Sequence, residues 1–260
     1  MITAGCDVGS LTAKAVLLDN GNIIGFDIIR ATARPAEAAE QVIRGAAEEA
    51  GIDPADIVRM VGTGYGKDQI SQADATRSEI SCHARGAWWL RPSVRTIIDI
   101  GGQDAKAIRV DEAGNIARYI YNDKCAAGTG RFLEVMADAL EVDLADMGDL
   151  SEQSTRRIRI SNQCVIFAET EVVSLISEGR ETCDIIRGLH HAMANRVASL
   201  AKSIEVHEEV VMTGGVAKNR GMFQALSEGL GVAIHSLDID PQINGALGAA
   251  LYAAEEAATG

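Results

Sequence analysis

Two kinds of residue in this sequence are spaced for chemistry. The first are cysteines set before helical patterns. Cys125 stands in Asn122-Asp123-Lys124-Cys125-Ala126-Ala127-Gly128-Thr129-Gly130-Arg131, a polar stretch running into a glycine-rich turn. The apolar-periodic Phe132, Val135, Met136, Ala139 and Leu140 follow it. Cys164 follows the polar Ser161-Asn162-Gln163 and precedes the apolar run Val165 to Ile176. A helix N-terminus carries partial positive charge, which favours a thiolate or a thiolate-bound group. Free cysteine is equally at home in a core, so two structural cysteines are the competing reading. The four locally spaced ligands of a zinc site are missing. One chain offers two of the four thiolates that an iron–sulfur cluster takes, and a two-fold dimer would offer four.

The second kind is a duplicated Asp-x-Gly turn. Asp7-Val8-Gly9-Ser10-Leu11-Thr12-Ala13-Lys14-Ala15 matches Asp99-Ile100-Gly101-Gly102-Gln103-Asp104-Ala105-Lys106-Ala107 at an offset of 92. Gly21-Asn22-Ile23 then matches Gly114-Asn115-Ile116. A repeat of this kind fixes the architecture. Each copy reads strand, tight turn, strand, and the glycine lets successive N–H groups converge on an anion. The candidate phosphate-binding residues are Gly9, Ser10, Lys14, Gly101, Gly102, Gln103 and Asp104. Asp7 and Asp99 are placed to hold a Mg2+ ion through water. Asp7, Asp99 and Gln103 are the catalytic candidates, Gln103 as the residue that orients an attacking water. Lys14 and Lys106 have a second reading, as solvated residues on the following strand. Thr213-Gly214-Gly215 gives close backbone approach to a nucleoside, and Lys218 just beyond it joins the binding set.

The elements that position these residues follow from patterning. Ile2 to Val8, Lys14 to Asp19 and Ile23 to Ile29 read as strands, with Asn20-Gly21 as a hairpin turn. Pro35 opens a helix to Ala50 that Gly51 closes. Ile57 to Val61, Val94 to Ile100, Val210 to Met212 and Val232 to Leu237 read as strands. Ser78 caps a helix through Trp89, and further helices span Cys183 to Ser203, Asn219 to Leu230 and Asn244 to Ala257. The fold class is α/β, a duplicated unit with two subdomains of mixed sheet flanked by helices. The expected division is 1–93 with 241–260, carrying the first phosphate turn, and 94–240, carrying the second turn, the adenosine motif and both cysteines. Counting from Ile23 to Gly64 and from Ile116 to Gly215, the second copy holds about 58 extra residues. His190 and His191 read as surface or interface residues, Cys6 and Cys82 as structural, and Glu169 and Glu171 as facing a partner chain.

Composition sets the outer limits. The chain has 260 residues, is 47% hydrophobic and carries a net charge of −13, which argues against nucleic-acid binding. No apolar run approaches the roughly 20 residues of a membrane span. The first seven residues lack a signal-peptide pattern, so a cytoplasmic location is expected. Five cysteines with no CxxC pair make a disulfide framework an unlikely plan for such a chain.

The two turns, with Val210 to Val216 as an adenosine motif, resemble the nucleotide-binding fold of actin, hexokinase-type sugar kinases and the heat-shock chaperone ATPases. That implies ATP or ADP with Mg2+ in a cleft between two halves. A narrower resemblance rests on Ile98 to Asp104, Asn122 to Arg131, Cys164 with Phe167-Ala168-Glu169, and Asn244 to Ala250. These look like the activator component of 2-hydroxyacyl-CoA dehydratases, a family shared with the ATPase subunits of benzoyl-CoA reductase. The resemblance implies a homodimeric ATPase with one [4Fe–4S] cluster between subunits, held by Cys125 and Cys164 of each. It implies one electron taken from ferredoxin or flavodoxin and delivered at low potential to an iron–sulfur dehydratase or reductase. A small-molecule kinase of the same fold, or a filament-forming ATPase, remain the alternatives.

Overall fold

The computed structural model describes residues 1–161 and 164–259. In chain order the first strands are β1 (Ile2–Val8), β2 (Thr12–Asp19) and β3 (Asn22–Arg30), followed by α1 (Pro35–Ala50), β4 (Arg59–Thr63), β5 (Ala75–Thr76) and α2 (Glu79–Leu90). Then come β6 (Thr96–Ile100), β7 (Ala105–Val110), β8 (Ile116–Asn122), α3 (Gly130–Leu140), α4 (Met147–Glu152), α5 (Val165–Ser177) and α6 (Thr182–Lys202). The chain ends with β9 (Val210–Thr213), α7 (Arg220–Leu230), β10 (Ile234–His235) and α8 (Asn244–Thr259). It divides into two compact units. One is Met1–Val94 with Val110–Ile116 and Leu237–Gly260, and the other is Arg95–Arg109 with Ala117–Ser236.

Each unit is built on a five-stranded mixed sheet, in the orders β3-β2-β1-β4-β5 and β10-β9-β6-β7-β8. This is the expected duplicated α/β plan. In the first, β1 pairs antiparallel with β2 and parallel with β4. In the second, β6 pairs antiparallel with β7 and parallel with β9. Register makes the repeat quantitative. Asp7 lies opposite Lys14 and Thr63, and Asp99 lies opposite Lys106 and Thr213. Gly64 and Gly214, next in line, both take left-handed backbone at φ 90° and 86°. The counterpart of Gly64 is therefore Gly214, not Gly215, and the second copy is enlarged by 57 residues rather than 58.

The first unit is held by small residues. α1 opens on Pro35 and ends at Gly51, whose αL backbone sends its N–H back to Ala47 and Glu48. Its apolar stripe Ala38, Ala39, Val42, Ile43, Ala46 and Ala47 is buried. α8 is buried without a break from Asn244 to Leu251, with alanine or glycine at most positions from Gly245 to Ala250. Side chains that short let it lie directly on β1 and α2. A Cβ at Gly5 would overlap the Ala246 carbonyl, and one at Gly248 would overlap that of Cys82. The second unit has a larger aliphatic core, including Phe132, Met136, Ile186, Leu189, Met193 and Met212. One expected strand needs correction. The strand over Val232 to Leu237 shortens to Ile234–His235, because Val232 is taken up as the acceptor of the Ser227 hydroxyl behind the Gly231 cap. The short helix α4 had no clear pattern in its six residues.

Gly248→Ala should therefore force α8 off α2. Overpacking of this kind costs about 1–3 kcal/mol or more, read as a lower urea midpoint with an unchanged m-value.

Candidate functional site

The first turn joins β1 to β2, with Gly9 N–H bonded to the Thr12 carbonyl at 3.0 Å. Asp7 at the end of β1 is buried, and Lys14 Nζ lies 3.2 Å from its Oδ2. Its other oxygen, Oδ1, is buried without a hydrogen-bond partner. Gly64 passes close to Oδ1, and Gly245, in the first turn of α8, passes close to Oδ2. The first turn of α8 thus packs against this carboxylate. Asn244 is buried beside it and donates to the His83 carbonyl at 3.0 Å.

The second turn repeats this geometry. Gly101 N–H bonds the Asp104 carbonyl at 2.9 Å. Lys106 is buried, lies 3.2 Å from Asp99 Oδ2 and is also paired with Asp104. Neither lysine is solvated: the side chains of Lys14 and Lys106 are 12% and 4% exposed. Because Lys106 sits opposite Asp99 across the strand pair, its side chain can only run along the same face of the sheet. Asp99 differs from Asp7 in one respect. Its Oδ1 accepts from the Thr213 hydroxyl at 2.8 Å, whereas Thr63 gives its hydroxyl to the Arg77 carbonyl. Gln103 is exposed at the tip of the turn, and Gly102 and Ser10 are half-buried.

The third turn follows β9. Gly214 is buried and left-handed, Gly215–Lys218 form one 3-10 turn, and Asn219 caps α7 by accepting from Met222 N–H. Gly215 and Lys218 are exposed. Behind Asn219 stands His190 on α6, 1% exposed and hydrogen-bonded to it at 3.1 Å. Burial pushes its pKa down to about 4. His190 is thus a core residue, not a surface one. Its neighbour His191 is partly exposed and 3.7 Å from Glu228. The pair His190-His191 carries no ligand spacing, so only the packing against α7 gives the first away.

The five cysteines sort by environment. Cys6 and Cys82 are fully buried, and desolvation raises both thiols, Cys82 up to about 12. Cys125, Cys164 and Cys183 are partly exposed, Cys183 within the first turn of α6. Cys164 is the N-cap of α5. Cys125 is not the cap of α3. It precedes a single 3-10 turn, Ala126–Gly128, and the buried Thr129 caps the helix. The first donors of α3 are also engaged elsewhere: Gly130 N–H bonds the Gly101 carbonyl and Arg131 N–H that of Gly102, both at 2.8 Å. The dipole of α3 is therefore aimed at the second phosphate turn. Cys125 is held by Asn122, whose side chain donates to its carbonyl at 2.8 Å and accepts from its N–H at 3.2 Å. Asn162 and Gln163, before Cys164, lie outside the described residues.

The segment from Ser154 to Ser161 is held at two points. Asp184 accepts from Ser154, Thr155 and Arg156, and the Arg156 N–H above all holds its carboxyl below the usual range. Glu171 accepts from Ser161 N–H at 2.8 Å, so it serves its own chain. α5 itself buries only Ala168 and Val172. Ile166, Phe167, Val173 and Ile176 are exposed at 68, 66, 53 and 44%, an apolar face of the kind that marks an interaction surface.

Paired sheets, each with an Asp–turn–Lys unit, define an ATPase fold of the actin and sugar-kinase type. A ROK family glucokinase from Streptomyces griseus matches it with a TM-score of 0.63 over 98% of this chain and 100% of the other, at 13% identity, which is a likeness of fold alone. The chain belongs to the BadF/BadG/BcrA/BcrD ATPase family, whose model matches residues 4–253. It is 48% identical over 258 residues to an activator of lactoyl-CoA dehydratase from Anaerotignum propionicum, covering 99% of both chains. The activator of the 2-hydroxyisocaproyl-CoA dehydratase from Clostridium difficile, solved with bound ADPNP, matches with a TM-score of 0.95 at 45% identity, over 100% of this chain and 96% of that one.

Lys106→Met should leave Asp99 and Asp104 as two buried carboxylates without their shared cation. Breaking a buried pair in this way costs about 3–5 kcal/mol, and chemical denaturation at neutral pH reads it directly.

Proposed function

We propose that this protein is an ATP-driven one-electron activator of an iron–sulfur enzyme acting on acyl-CoA substrates, a 2-hydroxyacyl-CoA dehydratase first of all. The observation that carries the reading is the sorting of the cysteines. Cys125, Cys164 and Cys183 are the partly exposed thiols of one unit; Cys125 and Cys164 each stand directly before a helical turn, whereas Cys183 lies inside α6, and the second turn of that unit is bonded to the segment after Cys125. Their donor set fits a [4Fe–4S] cluster shared by two copies of the chain: two thiols per subunit, beside an exposed apolar face on α5 suited to a homodimer. The 48% identity to a dehydratase activator favours that acceptor over a benzoyl-CoA reductase. Ferredoxin or flavodoxin is the proposed donor, and the cytoplasm the proposed location. Among the described residues, no helix is long and apolar enough to cross a membrane.

In this reading the turns at Gly9-Ser10 and Gly101-Gly102 hold the phosphates of ATP, with Lys14 and Lys106 behind them. Gly214, Gly215 and Lys218 border the nucleoside. The unsatisfied Oδ1 of Asp7 fits a Mg2+ hydration shell better than Asp99, whose oxygens already have donors. Gln103 at the exposed tip orients the attacking water, and Asp99 sets the charge of the turn. The cluster, when bound, supplies one-electron storage at a potential set by its surroundings. The chain's own part is mechanical. A change at Gly101 or Gly102 on loss of the γ-phosphate moves the carbonyls that hold Gly130 and Arg131, and α3 moves with them.

Anaerobic purification followed by iron and sulfide analysis tests the proposal. About four of each per dimer are expected, lost in Cys125→Ala and in Cys164→Ala. A colourless monomer that phosphorylates a sugar would sink it in favour of the kinase reading. Asp99→Asn should abolish ATP turnover and leave the iron content intact. Loss of iron in that variant would mean Asp99 serves the cysteine site instead.

A further inference from the structure

His190 has no place in the reading so far, yet its surroundings are specific. Three helices meet on it. α6 supplies the imidazole, α7 begins at Asn219 beside it, and Ser151 of α4 lies next to it over Gly221, where a Cβ would collide with both. The Asn219 side chain has divided duties. Its Oδ1 accepts from Met222 N–H as the helix cap, so Nδ2 is the atom that meets His190 Nε2. An amide nitrogen only donates. Nε2 therefore accepts, and the proton resides on Nδ1, which is buried without a partner. The neutral ring that this requires is the form burial favours. Asn219 N–H meanwhile closes the 3-10 turn Gly215–Lys218 on the Val216 carbonyl at 3.0 Å. One residue thus ends the nucleoside turn, starts α7 and is tied to α6.

The same face of α6 reaches the Cys125 segment. Val197 follows His190 by seven residues, two helical turns or roughly 10 Å. Val197 and Arg196 lie over Gly128, where a Cβ would meet them at 3.8 and 3.5 Å. Gly128, Arg196 and Val197 also line a cavity of about 470 Å³ shared with Asn122, the residue that clamps Cys125.

We propose that His190 is a positioning residue: it locks Asn219, and with it the end of the nucleoside turn, onto α6, which carries the setting of that turn to the Cys125 segment. The proposal rests on the ATPase reading above and adds a residue and a route to it.

The test uses the anaerobically purified full-length protein with ADP as the probe. His190→Ala should weaken ADP binding about three- to tenfold, the range of one lost hydrogen bond with its stranded partner, and raise KM for ATP with kcat little changed. His190→Gln, which places an acceptor near Nε2, should restore both. Asn219→Ser keeps a good helix cap but cannot reach the ring, so it should match His190→Ala, and the double variant should be no worse than either. Amide hydrogen exchange reads the route. In the wild type, saturating ADP should slow exchange across residues 213–222 and alter it across 125–130; in His190→Ala the second response should fall by at least half. Unchanged affinity and KM in His190→Ala and Asn219→Ser, with only a lower Tm, would reduce His190 to packing and overturn the proposal. Weakened affinity with an undiminished response at 125–130 would overturn transmission along α6. A wild type that binds no ADP would overturn the ATPase reading itself, a result distinct from either.

Discussion

The coupling proposed between the second turn and α3 depends on two backbone hydrogen bonds, from Gly130 and Arg131 to the carbonyls of Gly101 and Gly102. The first N–H groups of any helix have no partner within the helix and must find one outside. Here the partner is the turn that the repeat marks as phosphate-binding. The arrangement makes the turn and α3 one mechanical piece, because moving either alone would break both hydrogen bonds, at a cost of about 0.5–1.5 kcal/mol each. Glycine at position 130 eases this close approach. A Cβ there would lie 3.1 Å from the Gly101 carbonyl and 3.4 Å from Val216, against the nucleoside turn as well. The start of α3 is therefore wedged against two turns at once, five residues after Cys125.

The duplication is informative where its halves differ. Both copies keep the Asp–Lys pair, the four-residue turn and the left-handed glycine on the neighbouring strand. They differ in where one hydroxyl points. Thr213 satisfies Asp99, while Thr63 turns to the Arg77 carbonyl and leaves an oxygen of Asp7 bare. A bare carboxylate oxygen in a buried site is costly unless a cation or water meets it. The two aspartates thus differ in environment although both stand in an Asp-x-Gly turn: Asp7 keeps a bare oxygen, and Asp99 is internally tied. Nothing in Asp-x-Gly itself distinguishes them.

That contrast shows what was legible in the sequence and what was not. Features set by local backbone chemistry were readable: the Asn20-Gly21 hairpin, the Pro35 and Gly51 ends of α1, the Asn219 and Gly231 ends of α7, and the paired turns. Features set by which element packs on which were not. His190 looks polar and surface-bound until α7 covers it. Glu171 reads from the sequence as facing a partner chain, yet its carboxylate accepts from the Ser161 N–H at 2.8 Å. Gly214 and Gly215 are interchangeable on paper, and only the parallel register of β6 and β9 selects the first. Cys125 reads as standing at the mouth of α3, and the 3-10 turn that separates the two follows from the Thr129 N–H closing on the Ala126 carbonyl.

The two cysteine sites are consequently unlike. Cys164 stands directly on the positive end of a thirteen-residue helix whose outer face is bare and apolar. Cys125 has no such field, because α3 directs its donors to the phosphate turn, and it is held by the Asn122 amide and by α6 above Gly128. A ligand shared by both thiols would therefore sit between a fixed support and a responsive one. Charge stabilisation comes mainly from the α5 side, where the surroundings resemble a protein–protein interface. Displacement would come mainly from the α3 and α6 side, where the segment is bonded to the turns proposed to hold nucleotide. Separation of those two duties is what a device needs if it is to change the environment of a bound group without releasing it.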